Sequence, residues 1–329
     1  MGNEVLKVGI VGSGHIGNYH ARMLQAVPGN QVTAVADLDE PLAKAMAEKV
    51  GNGCQAYSDP LKMIKKGDID VLYLCVPPMA HGPYEKAAVK RKLPMLIEKP
   101  VAPNLALAKK INKMLPPELV VSVAYNWRYM PNADRVRQVC QEHKPSGFIA
   151  TWKEGIPPAR WWRTIETSGG PVIEQASHLL DLGMYYCGRV KRVQAMAVAH
   201  RPKDFGDISD LVMANFEFES GAIGQLIHTC LLNGRIHRIG YDIISWGVEV
   251  SGERDGSVSI RTANGTEELS GGYDSSYQKE SAAFLHAVRT GDRSGIRCTY
   301  KEAMESIALG EAIAKSAKTG RPVNVAKVD

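Results

Sequence analysis

The stretch Lys7-Val8-Gly9-Ile10-Val11-Gly12-Ser13-Gly14-His15-Ile16-Gly17 decides the fold. Val8, Ile10 and Val11 form a short apolar run of the kind a buried parallel strand needs. Gly12, Gly14 and Gly17 follow at G-x-G-x-x-G spacing, and residues 18–27 then read as a helix. In that arrangement one glycine makes a tight turn, one lets the backbone approach a pyrophosphate, and one lets helix and strand pack closely. The open N–H groups and partial positive charge of the helix start suit a phosphate. The spacing alone is a weak signal. Its context strengthens it, because a second apolar run over 32–36 ends at an acid, Asp37. Gly12, Ser13, Gly14, His15, Ile16, Gly17 and Asp37 are therefore the expected dinucleotide contacts. Asp37 suits the adenosine ribose 2′-hydroxyl and repels a 2′-phosphate, which favours NAD, with NADP the alternative where neighbouring basic residues overturn that preference.

Outward from this stretch, residues 1–121 alternate apolar runs and helical patterns. The runs cover 5–11, 31–36, 71–76, 95–98 and 119–124; the helical stretches cover 18–27, 40–50, 59–66, 80–90 and 104–115. Ser58-Asp59-Pro60 makes a good helix start, since Asp or Ser caps and Pro suits the first turn; Asp39 with Pro41 does the same. Such alternation predicts a Rossmann-type, doubly wound parallel sheet, α/β in class. Beyond about residue 122 the pattern changes. Strand candidates at 147–153, 193–201, 209–219, 222–231, 240–251 and 256–262 are separated by turn residues, with helices expected at 174–186, 276–289 and 301–318. Val212, Ala214, Phe216 and Phe218 alternate with Met213, Asn215, Glu217 and Glu219, the signature of a sheet with one packed face. The expectation is two domains: a nucleotide-binding one over 1–121, and over 122–329 an α+β one with a large, mainly antiparallel sheet.

The composition excludes several classes. Forty basic against 35 acidic residues give a net charge of +5, scattered along the chain with no basic block and no aromatic–basic interleaving, so nucleic acid is not an expected partner. No apolar run approaches a membrane span. The six cysteines are far apart and contain no C-x-x-C pair, which fits a reducing cytoplasm better than a disulfide framework or a zinc site.

Three further stretches carry chemistry. Val76-Pro77-Pro78-Met79-Ala80-His81 follows a strand at the sheet's carboxyl edge, where ligands of open α/β sheets bind. Pro77 and His81 are candidate cofactor contacts; equally, His81 is a plain helix-start residue. Leu96-Ile97-Glu98-Lys99-Pro100 delivers an acid and a lysine to the same edge, with Pro100 fixing the backbone at a position where a cis bond would be a specific turn feature. A lysine beside a nicotinamide can hold a substrate oxygen or lower a hydroxyl's pKa, while Glu98 suits orienting Lys99 or the cofactor. The alternative is a surface ion pair. In Ser168-Gly169-Gly170-Pro171-Val172-Ile173-Glu174-Gln175-Ala176-Ser177-His178-Leu179-Leu180-Asp181, a helix places Glu174, His178 and Asp181 on one face. His178 is suited to moving protons near neutral pH and Glu174 to assisting it or binding a hydroxyl. With no second histidine or cysteine nearby, no metal is expected there. Trp161 and Trp162 either pack on the C–H face of a sugar or cover the sheet or a subunit contact.

At these residues the chain resembles the glucose–fructose oxidoreductase / inositol dehydrogenase / rhizopine-catabolism (Gfo/Idh/MocA) oxidoreductases over nearly its whole length. The resemblance is carried by the glycine fingerprint with Asp37, Pro77-Pro78 with His81, Glu98-Lys99-Pro100, Tyr125-Asn126-Trp127-Arg128-Tyr129 with Pro131, and the glycine pair followed by His178-Leu179-Leu180-Asp181. It implies that Lys99 and His178 are the catalytic pair and that Glu174 helps bind substrate or assists proton transfer; Arg128, Trp161 and Trp162 are the further candidates for substrate contact beside Lys99, Glu174 and His178. The family's usual helix reads D-x-G-x-H; here Glu174 reaches further than an Asp, and Ala176 stands where a glycine is usual. The implied function is NAD(P)-dependent transfer of a hydride to or from a secondary alcohol or ketone of a sugar, sugar derivative or cyclitol, and the resemblance also suggests a homodimer or homotetramer. Two rivals use the same fold: a glycosidase that retains NAD and works by transient oxidation and elimination, and a non-catalytic NAD-sensing regulator.

Overall fold

The computed structural model describes residues 5–202, 205–232 and 236–328. Its residues group into two compact units. The first gathers the residues up to Val101 with Ala106–Asn126 and Asp274–Tyr300; the second gathers Ala102–Leu105, Trp127–Tyr273 and the residues from Lys301 on.

The first unit is built on six parallel strands: β1 (Leu6–Val11), β2 (Asn30–Ala36), β3 (Gln55–Tyr57), β4 (Val71–Leu74), β5 (Met95–Ile97) and β6 (Val121–Val123). They lie in the order β3-β2-β1-β4-β5-β6, so the order reverses between β1 and β4. Helices α1 (His15–Leu24), α2 (Glu40–Val50), α3 (Pro60–Lys66), α4 (Pro83–Lys90) and α5 (Leu105–Asn112) make the crossovers. Asp39 and Asp59 cap α2 and α3 as expected, accepting from the N–H groups of Leu42 and Lys62, with a proline inside each first turn. Every side chain of β4 is buried, as a central parallel strand requires. The short polar β3, at the sheet's edge, has no apolar periodicity and was not foreseen. The core joins Val8, Ile10, Val35, Val71, Tyr73 and Leu96 to Phe284 and Leu285 of helix α10 (Tyr273–Thr290), which arrives from late in the sequence.

The second unit carries helices α6 (Ala133–Glu142), α7 (Ile165–Ser168), α8 (Pro171–Glu174), α9 (Ser177–Cys187) and α11 (Tyr300–Thr319). Its nine strands are β7 (Pro145–Lys153), β8 (Val190–Val198), β9 (Leu211–Phe218), β10 (Ile223–Thr229), β11 (Arg238–Ser245), β12 (Val248–Glu253), β13 (Val258–Thr262), β14 (Gly265–Leu269) and β15 (Val323–Asn324). They run β14-β13-β12-β11-β7-β10-β9-β8-β15, antiparallel except where β7 pairs with β10. The alternation in β9 holds: Val212, Ala214, Phe216 and Phe218 are buried, and Met213 and Asn215 are exposed. Phe148, Ala150 and Trp152 of β7 and Leu226 and His228 of β10 share that covered face.

Two expectations are corrected. The single strand expected at 240–251 is the hairpin β11–β12, because Trp246-Gly247 turns the chain with Gly247 at φ +71°. The single helix expected at 174–186 is α8 followed by α9, interrupted at Gln175 and Ala176, whose N–H groups both turn back to the Pro171 carbonyl. Among the described residues no helix is long and apolar enough to cross a membrane.

Candidate active site

In the first unit the glycine loop joins β1 to α1. Gly12 has φ +99°, and a Cβ there would strike the Cys75 carbonyl; a Cβ on Gly17 would strike the Gly12 carbonyl. Both glycines are thus required by backbone packing alone. Gly14 differs, since a Cβ on it would meet nothing within 4 Å. It stands as the cap residue of α1 without a side-chain cap, so the first N–H groups of the helix are open. Asn18 ties the loop down, donating to the carbonyls of Ser13 (2.7 Å) and Gly14 (2.9 Å). Asp37, just beyond β2, accepts from the Ser13 N–H at 2.7 Å and from the Asp39 N–H at 3.0 Å. Ser13 Oγ is buried and, among the described residues, has no hydrogen-bond partner. An orphaned hydroxyl, an open helix start and clear space over Gly14 fit a dinucleotide's pyrophosphate, with a carboxylate at the end of β2 for the ribose.

Farther along the same carboxyl edge, His81 Nδ1 lies 2.6 Å from Glu85 Oε1, and both side chains are buried. Burial alone would raise the Glu85 carboxyl; the His81 charge and hydrogen bonds from His81 and Gly82 outweigh it and hold it below its ordinary value. Glu98 is also buried. Its Oε1 meets His20 Nε2 at 2.8 Å, and its Oε2 accepts the Lys99 backbone N–H at 3.0 Å. Glu98 therefore sets the main chain that presents Lys99, and the Lys99–Pro100 bond is cis. Behind this pair lies Glu280 of α10, fully buried, with neither carboxyl oxygen partnered among the described residues. Burial, reinforced by the Glu98 charge, pushes its pKa well above the ordinary range. His20 and Glu280 escaped sequence reasoning. His20 lies on α1 three positions beyond Gly17, and nothing in its own surroundings announces a partner at residue 98.

In the second unit the residues of the expected helix stripe go to three different partners. Glu174 Oε2 accepts from the indole N–H of Trp162, which is buried beside Ile208 and Cys230. Trp161 packs against that cluster and stays half-exposed, so the two tryptophans have different surroundings. His178 is buried with its ring nearly parallel to two indoles: Trp127 at 5.4 Å and 17°, and Trp152 at 6.2 Å and 9°. Asp181 is gripped by Arg128 through Nε and Nη2, each at 2.8 Å, and Arg128 Nη1 reaches Glu302 at 3.0 Å. Burial pushes the Asp181 carboxyl up, and the guanidinium only partly opposes that. Arg128 thus serves a buried ion pair in this structure. Gln175, which sequence reasoning passed over, is buried with Oε1 3.0 Å from His228 Nε2.

Residues 6–125 match an oxidoreductase family with an NAD-binding Rossmann fold, and residues 147–325 match the C-terminal alpha/beta domain of the same family. Myo-inositol 2-dehydrogenase of Thermotoga maritima is 25% identical, over 98% of this chain and 99% of its own length. Rhizopine catabolism protein MocA of Rhizobium meliloti is 27% identical over 56% of this chain and 57% of its own. A solved structure of levoglucosan dehydrogenase in complex with NADH and levoglucosan aligns with a TM-score of 0.89, covering 99% of this chain and 100% of that one. At 21% identity this likeness speaks for the fold. With both halves matched and the nucleotide loop built as described, the chain belongs to the Gfo/Idh/MocA family of NAD-binding oxidoreductases.

Proposed function

We propose that the protein is an NAD-dependent dehydrogenase or reductase acting on a secondary alcohol or ketone of a sugar, sugar derivative or cyclitol. The observation that carries this reading lies at one edge of the first unit's sheet. There the glycine loop after β1 leaves room for a pyrophosphate, and Lys99 follows β5 with its backbone held by Glu98. The nicotinamide, when bound, supplies or accepts the hydride. The chain's own part is to orient the substrate and handle the hydroxyl proton. Lys99 offers an ammonium to the reacting oxygen, favouring its alkoxide-like form. His178 takes the proton on oxidation and returns it on reduction, with its ring orientation set by Trp127 and Trp152. Glu174, fixed by the Trp162 N–H, accepts a hydrogen bond from a substrate hydroxyl. Asp37 favours NAD over NADP.

Two further proposals follow from the same reading. The exposed side chains Met196, Met213, Ile223 and Ile244 lie on strands of the second unit's sheet, which supports a homodimer or homotetramer formed through that face; light scattering tests it. Six cysteines with no disulfide support a cytoplasmic protein.

The test is a cofactor-coupled absorbance screen of sugars, inositols and nucleotide sugars, with NAD and NADP in parallel. On a substrate so found, Lys99→Ala and His178→Ala each lower kcat by about a hundredfold or more. Full turnover by the double variant sinks the catalytic assignment. A flat screen with NAD still bound moves the weight to an NAD-retaining glycosidase or to a sensor.

A further inference from the structure

Between α8 and α9 the backbone of Gln175 and Ala176 stays in the right-handed helical region, but the regular hydrogen-bond ladder breaks there, so the relative placement of Glu174 and His178 depends on tertiary contacts as well as on the local turn. Each short helix has its own anchor within the second unit. Ile173 of α8 lies against Gly310 of α11, where any Cβ would strike it. Gly183 seats α9 on β7, where a Cβ would come within 2.8 Å of the Phe148 ring.

The interruption itself has a third anchor. Gln175 is 6% exposed, and its Oε1 lies 3.0 Å from Nε2 of His228 on β10. An amide oxygen only accepts, so His228 carries its proton on Nε2 and donates it. His228 is fully buried, and burial draws its pKa down to about 3. It therefore stays neutral, with a fixed tautomer, wherever the protein is folded and active. Its partner in register on β7 is Trp152, whose ring lies nearly parallel to that of His178. One covered stretch of the β7–β10 pair thus touches Gln175 through His228 and His178 through Trp152.

We propose that His228 is a positioning residue: through Gln175 it fixes the interruption between α8 and α9, and so sets where Glu174 and His178 stand relative to each other. The proposal rests on reading Glu174 and His178 as the substrate-facing groups. An imidazole that does not titrate suits the task, because it holds Gln175 without placing a second cation near the histidine that must gain and lose a proton. An apolar residue at 228 would release the Gln175 side chain and let α8 and α9 shift relative to each other.

Three variants test it: Gln175→Leu removes the acceptor, His228→Phe removes the donor, and His228→Gln restores an N–H donor. With a substrate from the screen, Gln175→Leu and His228→Phe lower kcat on the order of tenfold or more. The Kd for NADH stays within about twofold, less than a tenfold step of 1.4 kcal/mol, while KM rises as well, because Glu174 holds a substrate hydroxyl. His228→Gln recovers most of the lost kcat. A readout that needs no substrate is histidine-labelled NMR, in which the titration of His178 moves in Gln175→Leu and returns towards wild type in His228→Gln. If His228→Phe does not fold, Gln175→Leu decides. Unchanged kcat and unchanged His178 titration in folded Gln175→Leu overturn the proposal, as does a loss that His228→Gln fails to recover. A wild type that turns over nothing defeats the dehydrogenase reading instead, and the His178 titration still decides the role of His228.

Discussion

Gly14 and Gly17 belong to one motif, but they answer to different constraints. Gly17 is fixed by the fold, because its Cβ would occupy the position of the Gly12 carbonyl; Gly14, at φ −71°, has an ordinary backbone and open space around it. Gly17→Ala is therefore expected to cost about 1–3 kcal/mol of stability, as overpacking does, read as a fall in Tm. Gly14→Ala is expected to melt like wild type while NAD binding weakens about tenfold or more, since the methyl takes the space a phosphate would fill. Equal Tm losses in the two variants would refute this division of labour. Asp37 is a second case where structure adds to sequence. Its carboxylate already accepts two backbone N–H groups, so it shapes the loop in addition to its proposed contact with the ribose. Asp37→Ala is expected to weaken NAD binding by about 1.5–3 kcal/mol, the range for a hydrogen bond to a charged group, and to narrow the NAD/NADP ratio. A Kd ratio for NAD and NADP equal to that of wild type would remove Asp37 from cofactor selection.

Among the elements, α10 shows why a helix can be found in a sequence while its purpose stays hidden. Its apolar spacing was legible, and so was its rough extent, but Glu280 reads there as one more polar surface residue. Only tertiary placement buries it beside Glu98, with Tyr277 of the same helix edge-on to His20. Its folded pKa is raised, so its carboxyl stays neutral while the unfolded chain ionises above about 4.5. The stability it contributes is then full below that pH and falls as pH rises, by about 1.4 kcal/mol per unit until the folded pKa is reached. Glu280→Gln keeps the shape and removes the titration. It is expected to raise Tm at pH 7–8 relative to wild type, by about 1 kcal/mol or more in stability, and to leave Tm unchanged near pH 4. A Glu280→Gln protein less stable than wild type at both pH values would show that the carboxyl has a partner it needs. The interruption between α8 and α9 has a related lesson. The pair Glu174 and His178 stands out in the sequence, yet a run with no Gly or Pro between Pro171 and Gly183 gives no local sign of a break. That sign lies in Gln175 and His228, 53 residues apart.

Across the whole molecule, the alternation of short apolar runs with helices made the first sheet legible, and the period-two pattern of β9 made the second legible. The assignment of α10 to the first unit was not legible, because amphipathicity says which face of a helix is buried but not what it is buried against. That assignment has a consequence. Phe284 is fully buried in the first unit's core, edge-on to Tyr73 at 5.7 Å, and Leu285 joins the same cluster. The carbonyl of Cys298, from the same late segment, accepts the N–H of Val123 in β6 at 3.0 Å. A fragment ending at residue 126 contains every strand of the parallel sheet and the whole glycine loop, yet lacks that cover over Tyr73. Burying a Phe or Leu side chain is worth about 1.5–3 kcal/mol each, a large share of the roughly 5–15 kcal/mol by which domains are stable. The fragment is therefore expected to show no cooperative melting transition and no NADH binding. In the full chain, Phe284→Ala is expected to cost about 3–5 kcal/mol. It should also weaken NADH binding, whereas Phe218→Ala, equally buried in the second unit, should cost stability with the NADH Kd of the folded protein unchanged. A fragment that melts cooperatively and binds NADH like the whole protein would mean that the first unit is complete without the returning helix, and the grouping of Asp274–Tyr300 with it would then be a matter of contact rather than of folding.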